Sequence, residues 1–133
     1  MTPRFNLIGL VVAHMGRSLA FYRRLGLDVP PDSDAEAHVE VMLPGGVRVA
    51  WDTIEAINSF DPMWTPPSGG HRISLAFACD DPVGVDVAHA DLVAAGYRSH
   101  LAPWDAFWGQ RYATLLDPDG NSVDLFAPLP TAS

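Results

Sequence analysis

Apolar and polar positions along the chain follow the same order twice. In the first half, the apolar run Leu7–Ala13 predicts a buried strand, and apolar residues at helical spacing in Arg17–Leu25 predict a helix that ends at Gly26. Polar and apolar residues then alternate in His38–Leu43 and again in Val47–Asp52, on either side of a proline–glycine–glycine turn. This alternation predicts a β-hairpin.

The second half repeats the pattern with one more strand. Ile73–Cys79 is apolar and predicts a strand. Asp81 then has the position of an N-cap, with proline at the first helical position, and Val83–Ala95 predicts a helix that Gly96 closes. Further strands are predicted near Tyr97–Leu101, at Arg111–Leu116 and, after an Asp-Pro-Asp-Gly turn, at Ser122–Phe126.

The repeated order predicts an α+β fold of two tandem βαβββ modules in a single domain, 1–133. The first module covers about residues 5–52 and the second about residues 71–130. Modules of this kind curl their strands into an open cup-like sheet, with the helices on its outer face. The linker, residues 53–70, is rich in proline and glycine and is predicted to be a loop; loops of this length tend to be functional.

Alternation along each strand divides its side chains between the helix and the cup. Val39, Val49 and Val123 are predicted to face the helices. The cup face is then assigned to His38, Glu40 and Met42; to Arg48, Ala50 and Asp52; to Gln110, Tyr112 and Thr114; and to Ser122, Asp124 and Phe126. A β-bulge in any strand would exchange its two faces.

Composition narrows the classes of partner. Eight basic and sixteen acidic residues give a formal charge of −8, without a basic cluster, so neither nucleic acid nor a membrane is an expected partner. No apolar run is long enough to span a bilayer, and the first residues do not have the pattern of a signal peptide. The single cysteine, Cys79, fits a reducing compartment, so a cytoplasmic location is expected.

Two motifs carry a family resemblance. Phe21–Leu27 at the end of the first helix and Asp117–Asn121 before the last strand resemble the glyoxalase/bleomycin-resistance/extradiol-dioxygenase (vicinal oxygen chelate) superfamily. A closer resemblance is to the mitomycin-resistance (mitomycin-binding) proteins, in Gly45–Thr53, Gly69–Arg72, Pro103–Ala113 and Asp117–Pro130. It implies a cytosolic homodimer, with cups at the interface, that binds a planar antibiotic without a metal.

The superfamily resemblance also provides a test for a metal site. It implies that metal-using members place a histidine in the first strand, a histidine in the strand that opens the second module, and a glutamate in the last strand. The corresponding residues here are Leu7, Ser74 and Asp124, which is too few ligands for a catalytic ion. His71 lies three residues before the second position and could replace Ser74 only through a slip in register. Neither a metal nor another cofactor is expected.

The four tryptophans are the chemical signal that remains. Trp51 alternates with valines and is interpreted as a core or interface residue, and Trp104, after a proline, as structural. Trp64 in the linker is either a hydrophobic plug or a lid over a ligand. Trp108 precedes Gly109 at the mouth of a strand and, with the resemblance, is interpreted as a ring that stacks on a flat ligand.

Polar residues of the cup complete the predicted binding site. His38 either contacts the ligand or faces solvent, and Asp52 either accepts from a ligand amine or pairs with Arg48. Arg111 joins the site only if its strand slips in register. The predicted ligand-binding residues are His38, Glu40, Asp52, Trp64, Trp108, Gln110, Arg111, Tyr112 and Asp124, and no catalytic residue is assigned.

Three functions follow from these features. The leading hypothesis is a non-catalytic protein that sequesters a planar aromatic or quinone-type antibiotic such as mitomycin. The alternative is a metal-dependent lyase, isomerase or dioxygenase of the same superfamily, with different ligands. A third is metal-free catalysis on a bound quinone by His38 or Asp124, although the chain offers no nucleophile–base pair and no nucleotide-binding glycine motif.

Overall fold

Strands and helices alternate along the chain in the order β-α-β-β-α-β-α-β-β-β. The computed structural model describes residues 1–131, which form an N-terminal unit, Met1–Ser68, and a C-terminal unit that begins at Gly69. The elements are β1 (Leu7–Val12), α1 (Met15–Arg24), β2 (His38–Met42), β3 (Arg48–Thr53), α2 (Ile54–Phe60), β4 (Ser74–Ala78), α3 (Pro82–Ala94), β5 (Arg98–Ala106), β6 (Gln110–Leu116) and β7 (Ser122–Pro128).

The N-terminal unit is a three-stranded sheet with the order β1-β3-β2. β1 runs parallel to β3, and β2 runs antiparallel to it. Helix α1 buries the apolar side chains of Leu19, Phe21 and Tyr22. The ring of Tyr22 meets the buried ring of Trp51 on β3 edge to face, with 5.6 Å between centroids. The interpretation of Trp51 as a core residue is confirmed.

The C-terminal unit is a four-stranded sheet with the order β4-β7-β6-β5. Its first and last strands are parallel neighbours, as in the N-terminal unit, and the other pairs are antiparallel. Helix α3 contacts β5, β6 and β7 and buries Val85 and Leu92. The sequence repeat therefore corresponds to a repeat in topology.

Both longer helices end at a glycine, as the sequence predicted. Gly26 and Gly96 have φ near +97°, a left-handed conformation that costs glycine little. The residue after each glycine donates its N–H to a carbonyl in the last helical turn: Leu27 to Tyr22 at 3.1 Å, and Tyr97 to Leu92 at 3.1 Å. These bonds satisfy carbonyls that have no partner within the helix.

The predicted α+β fold is confirmed, with three differences in its elements. Residues 53–70 are not all loop, because Thr53 caps the short helix α2. Helix α1 begins at Met15, two residues earlier than predicted, because His14 Nδ1 accepts from the N–H of Arg17 at 3.1 Å. Strand β5 continues to Ala106. Within residues 1–131, no helix combines the length and apolarity needed to cross a membrane.

Candidate functional site

In the N-terminal unit, one face of the sheet carries polar side chains. Val39 and Val49 are buried, and His38 and Glu40 on β2 are exposed, so the predicted alternation of β2 is confirmed. His38 pairs in register with Asp52, and Glu40 with Ala50, so residues of β2 and β3 share this face. The exposed edge of the hairpin therefore groups the predicted site residues His38, Glu40 and Asp52.

These side chains form a hydrogen-bonded network across three segments. His38 Nδ1 lies 2.6 Å from Asp52 Oδ1, and His38 Nε2 lies 3.0 Å from Glu40 Oε2. Arg48 donates to Glu40 Oε1 at 2.7 Å and also to the side chain of Asn6. The expected alternative for Asp52 is wrong: Arg48 pairs with Glu40, and Asp52 pairs with His38.

The network changes the ionisation of two of its members. Hydrogen bonds to Asp52 first and to Glu40 second raise the pKa of His38 above its usual value. Bonds from His38 and Arg48 lower the pKa of Glu40. A raised pKa favours the imidazolium, the form in which both ring nitrogens can donate to the two carboxylates.

In the C-terminal unit, the register aligns aromatic side chains in one row of the sheet. Trp104 on β5 lies opposite Tyr112 on β6, and Tyr112 lies opposite Phe126 on β7. In the adjacent row, Thr114 lies opposite Asp124. Since residues two apart on a strand point to the same side, both rows lie on one face, which we call the Asp124 face.

Trp108, in the turn between β5 and β6, is the centre of an aromatic cluster. Its ring meets Trp104, Phe107 and Tyr112 edge to face, with centroids 5.4, 5.0 and 5.2 Å away. Its indole N–H donates to Gln110 Oε1 at 2.7 Å. Trp108 is 48% exposed and Phe107 is 90% exposed. The cluster, defined as Trp104, Phe107, Trp108 and Tyr112, is thus fixed in orientation and open to solvent.

Asp124 lies beside this cluster and is only 7% exposed. Ser74 donates to its Oδ2 at 2.7 Å, and Thr114 donates to its Oδ1 at 2.8 Å. Burial, followed by the Asp124 carboxylate, raises the pKa of Tyr112 to about 12, so the phenol is neutral at physiological pH. The Asp124 face therefore offers aromatic rings, a neutral phenol and a buried carboxylate together.

Two predicted site residues lie elsewhere. Arg111 is on the opposite face of the C-terminal sheet, where it bonds to Asp86 on α3 at 3.0 Å and to Asp105 at 3.0 Å. No register slip occurs in β6, so Arg111 does not join Gln110 and Tyr112. Trp64 lies after α2 in the N-terminal unit, half-buried, and its carbonyl accepts from Asn58 at 2.9 Å.

Residues at the positions of the superfamily's metal ligands do not fit a metal ion. Leu7 has no ligand atom and Ser74 offers only a hydroxyl, so these three positions supply a single carboxylate, that of Asp124. Histidine, cysteine, aspartate and glutamate form no group of three or more that could hold an ion within residues 1–131.

Sequence reasoning missed three contributors to the Asp124 face. Trp104 was interpreted as structural but contacts Trp108 directly. Ser74 and Thr114, which bind the Asp124 carboxylate, were not predicted as site residues. Alternation along the strand did assign Thr114 to the same face as Tyr112, but without a role in the site. Alternation gave no such assignment for Trp104, because bulges shift the register of β5 around Leu101.

Comparison with known proteins identifies relatives by family and by fold. The sequence matches the family described as Glyoxalase/Bleomycin resistance protein/Dioxygenase superfamily over residues 4–125. No curated protein matches the chain.

Solved structures resemble the chain over almost its whole length. One is a glyoxalase/bleomycin resistance protein/dioxygenase family enzyme from Burkholderia phytofirmans PsJN, with a TM-score of 0.81 and 20% identity over 96% of this chain and 100% of that one. A glyoxalase/bleomycin resistance protein/dioxygenase from Nocardioides has a TM-score of 0.75 and 24% identity over 100% and 88%. A glyoxalase-related enzyme from Fulvimarina pelagi has a TM-score of 0.76 and 20% identity over 95% and 88%. At these identities the likeness shows the fold alone.

Proposed function

The chain belongs to the glyoxalase/bleomycin resistance protein/dioxygenase superfamily, and from this premise we propose that it is a non-catalytic, metal-independent drug-binding protein. Its ligand would be a planar aromatic or quinone-type antibiotic, such as mitomycin. Sequestration would lower the free concentration of the drug and so protect the cell. The resemblance to the mitomycin-resistance proteins supports this proposal, as well as a homodimer as the active form.

The observation that carries the proposal is the exposed aromatic cluster around Trp108. Large apolar rings at a protein surface forgo the free energy that burial would provide. A contiguous exposed apolar patch therefore often marks an interaction site or a ligand-binding groove. A flat ligand placed against Trp108 would bury ring area and gain about 1 kcal/mol per well-aligned ring pair beyond the area term.

Preorganisation of the cluster supports binding of a rigid ligand. The three edge contacts and the bond to Gln110 hold Trp108 in one orientation before any ligand arrives. A side chain that is already ordered loses little entropy on binding. The cluster therefore suits a flat molecule that matches its shape.

Titration with mitomycin C, followed by tryptophan fluorescence, tests the proposal. We expect saturable quenching in the wild-type protein and binding at least about tenfold weaker in Trp108→Ala, because the lost stacking and area are worth about 1.4 kcal/mol or more. Phe60→Ala is the matched control, since Phe60 is also an exposed aromatic residue, at 75%, but lies in the N-terminal unit. Equal binding by both variants, or no saturable quenching by mitomycin C or other quinone drugs, would contradict the proposal.

A metal-dependent enzyme is the second candidate, favoured by the description of the Burkholderia phytofirmans relative as an enzyme. It predicts stoichiometric zinc, manganese or iron in protein purified without chelators. Metal analysis of that protein separates the two candidates, because the binding proposal predicts sub-stoichiometric metal and drug binding that survives chelation.

A further inference from the structure

Asp124 is a buried carboxylate without a cationic partner. It is only 7% exposed, and it takes part in none of the ion pairs that the described residues form. A buried charge is costly unless it is paired or fully hydrogen-bonded. The hydroxyls of Ser74, Thr114 and Tyr112 meet part of that requirement and bring no positive charge.

The arginines of strands β5 and β6 form no ion pair with Asp124. Arg111, on the neighbouring strand, lies on the opposite face and binds Asp86 and Asp105. Arg98 shares the Asp124 face but is two strands away in the sheet order and is exposed. The Asp124 face therefore has a carboxylate whose positive counterpart the described chain does not supply.

Unused hydrogen-bonding capacity also remains at Asp124. An ionised carboxylate accepts about four hydrogen bonds, and three hydroxyls, those of Ser74, Thr114 and Tyr112, bond to Asp124 here. The remaining acceptor position is most stable when a charged N–H group donates to it, since such bonds are about twice as strong as neutral ones.

The position of Asp124 relative to the rings completes the argument. Asp124 lies opposite Thr114 in the sheet, and its carboxylate is hydrogen-bonded to the hydroxyl of Tyr112, two residues before Thr114. Tyr112 contacts Trp108 with 5.2 Å between ring centroids. Tyr112 therefore connects the aromatic cluster to the carboxylate of Asp124.

We propose that the ligand of this face is a planar aromatic cation, a protonated amine or ring N–H⁺, whose donor binds Asp124 while its ring lies against Trp108. The inference rests on the proposed function and adds the charge of the ligand to it. The rings contribute in the same direction, because the faces of tryptophan and tyrosine attract cations.

Three planar probes of similar size distinguish the effect of ligand charge on affinity from the effect of ligand shape. Isothermal titration calorimetry at neutral pH compares 9-aminoacridine, which is cationic, with neutral phenazine and anionic anthraquinone-2-sulfonate. We expect the wild-type protein to bind 9-aminoacridine at least about tenfold more tightly than phenazine, and the sulfonate most weakly, since a hydrogen bond between charged groups is stronger than one between neutral groups.

Asp124→Asn tests the residue itself, because the amide keeps the shape and one acceptor but removes the charge. It is expected to lose the preference for 9-aminoacridine and to keep phenazine binding within about twofold of wild type, a change too small to reflect a lost charged contact. Asp86→Asn is the control: it removes the same charge from the opposite face, leaves Arg111 paired with Asp105, and should keep the preference.

The results of these titrations distinguish a failure of this inference from a failure of the proposed function. Binding of all three probes with equal affinity by wild-type protein overturns the charge preference and leaves planar binding intact. Retention of the preference by Asp124→Asn overturns the role of Asp124. Failure of every probe to bind overturns the proposed function and the inference with it. Should Asp124→Asn not fold, the wild-type comparison of the three probes decides the question.

Discussion

The imidazole of His38 shows how a few side chains set the charge of a surface. With His38 protonated, its positive charge and that of Arg48 balance the carboxylates of Glu40 and Asp52. Loss of the proton leaves a net negative charge among groups that lie 2.6–3.0 Å apart. The pKa of His38 is raised for that reason, chiefly by Asp52.

The raised pKa predicts how stability changes with pH. Because the folded state binds the proton more tightly than the unfolded chain, the His38 contribution is complete below its unfolded pKa, about 6.5, and is lost as pH rises through the folded value. We expect the stability advantage of wild type over His38→Gln to decline as pH rises above about 6.5. It should stay below about 1 kcal/mol, since the His38 side chain is 51% exposed.

Urea denaturation of both proteins across this range measures that advantage, and the difference between them cancels the other titrating groups. An advantage that grows with pH would contradict the assignment of His38 as a protonated partner of Asp52.

Among the elements, helix α3 depends on its N-cap residue, Asp81, for a defined start. Asp81 Oδ1 accepts from the N–H of Gly84 at 2.8 Å, and Pro82 occupies the first turn, where a missing N–H has no cost. The carboxylate also faces the positive end of the helix dipole. The start of α3 is therefore determined by local sequence.

Asp81→Ala is expected to destabilise the protein by about 1 kcal/mol, the usual cost of losing an N-cap. Asp80→Ala, which removes the same charge one residue earlier and caps no helix, should change stability by less than about 0.5 kcal/mol. Thermal unfolding of both variants measures the difference. Equal losses would mean that charge, and not capping, determines the effect.

Element by element, the sequence predicted structure wherever one face of an element is buried. Alternation identified the faces of β2, because Val39 packs inward and His38 faces out. It did not reveal α2, a helix of only seven residues with no buried residue. It also underestimated the length of β5, because exposed residues and bulges obscure the alternation of apolar and polar side chains there. Trp104, which follows a proline in this strand, was interpreted as structural.

For the whole molecule, the negative net charge and the exposed aromatic rings both favour a planar cationic ligand. The net charge of −8 attracts cations, although salt screens this attraction beyond about 8 Å at physiological ionic strength. Only nearby groups such as Asp124 then select among ligands. The sequence contains the acidic balance and predicted Trp108 at the mouth of a strand, but the burial of Asp124 depends on long-range strand pairing that local patterns do not contain.

The four tryptophans allow the central claim, that the aromatic cluster binds planar ligands, to be tested directly. Each indole N–H gives one signal in an amide-correlation NMR spectrum, and Trp51, Trp64, Trp104 and Trp108 can be assigned by single replacement with phenylalanine. During titration with 9-aminoacridine or mitomycin C, the signals of Trp108 and Trp104 should move most, and that of buried Trp51 should stay unchanged. Movement of Trp51 or Trp64 without Trp108, or no movement at all, would contradict the account.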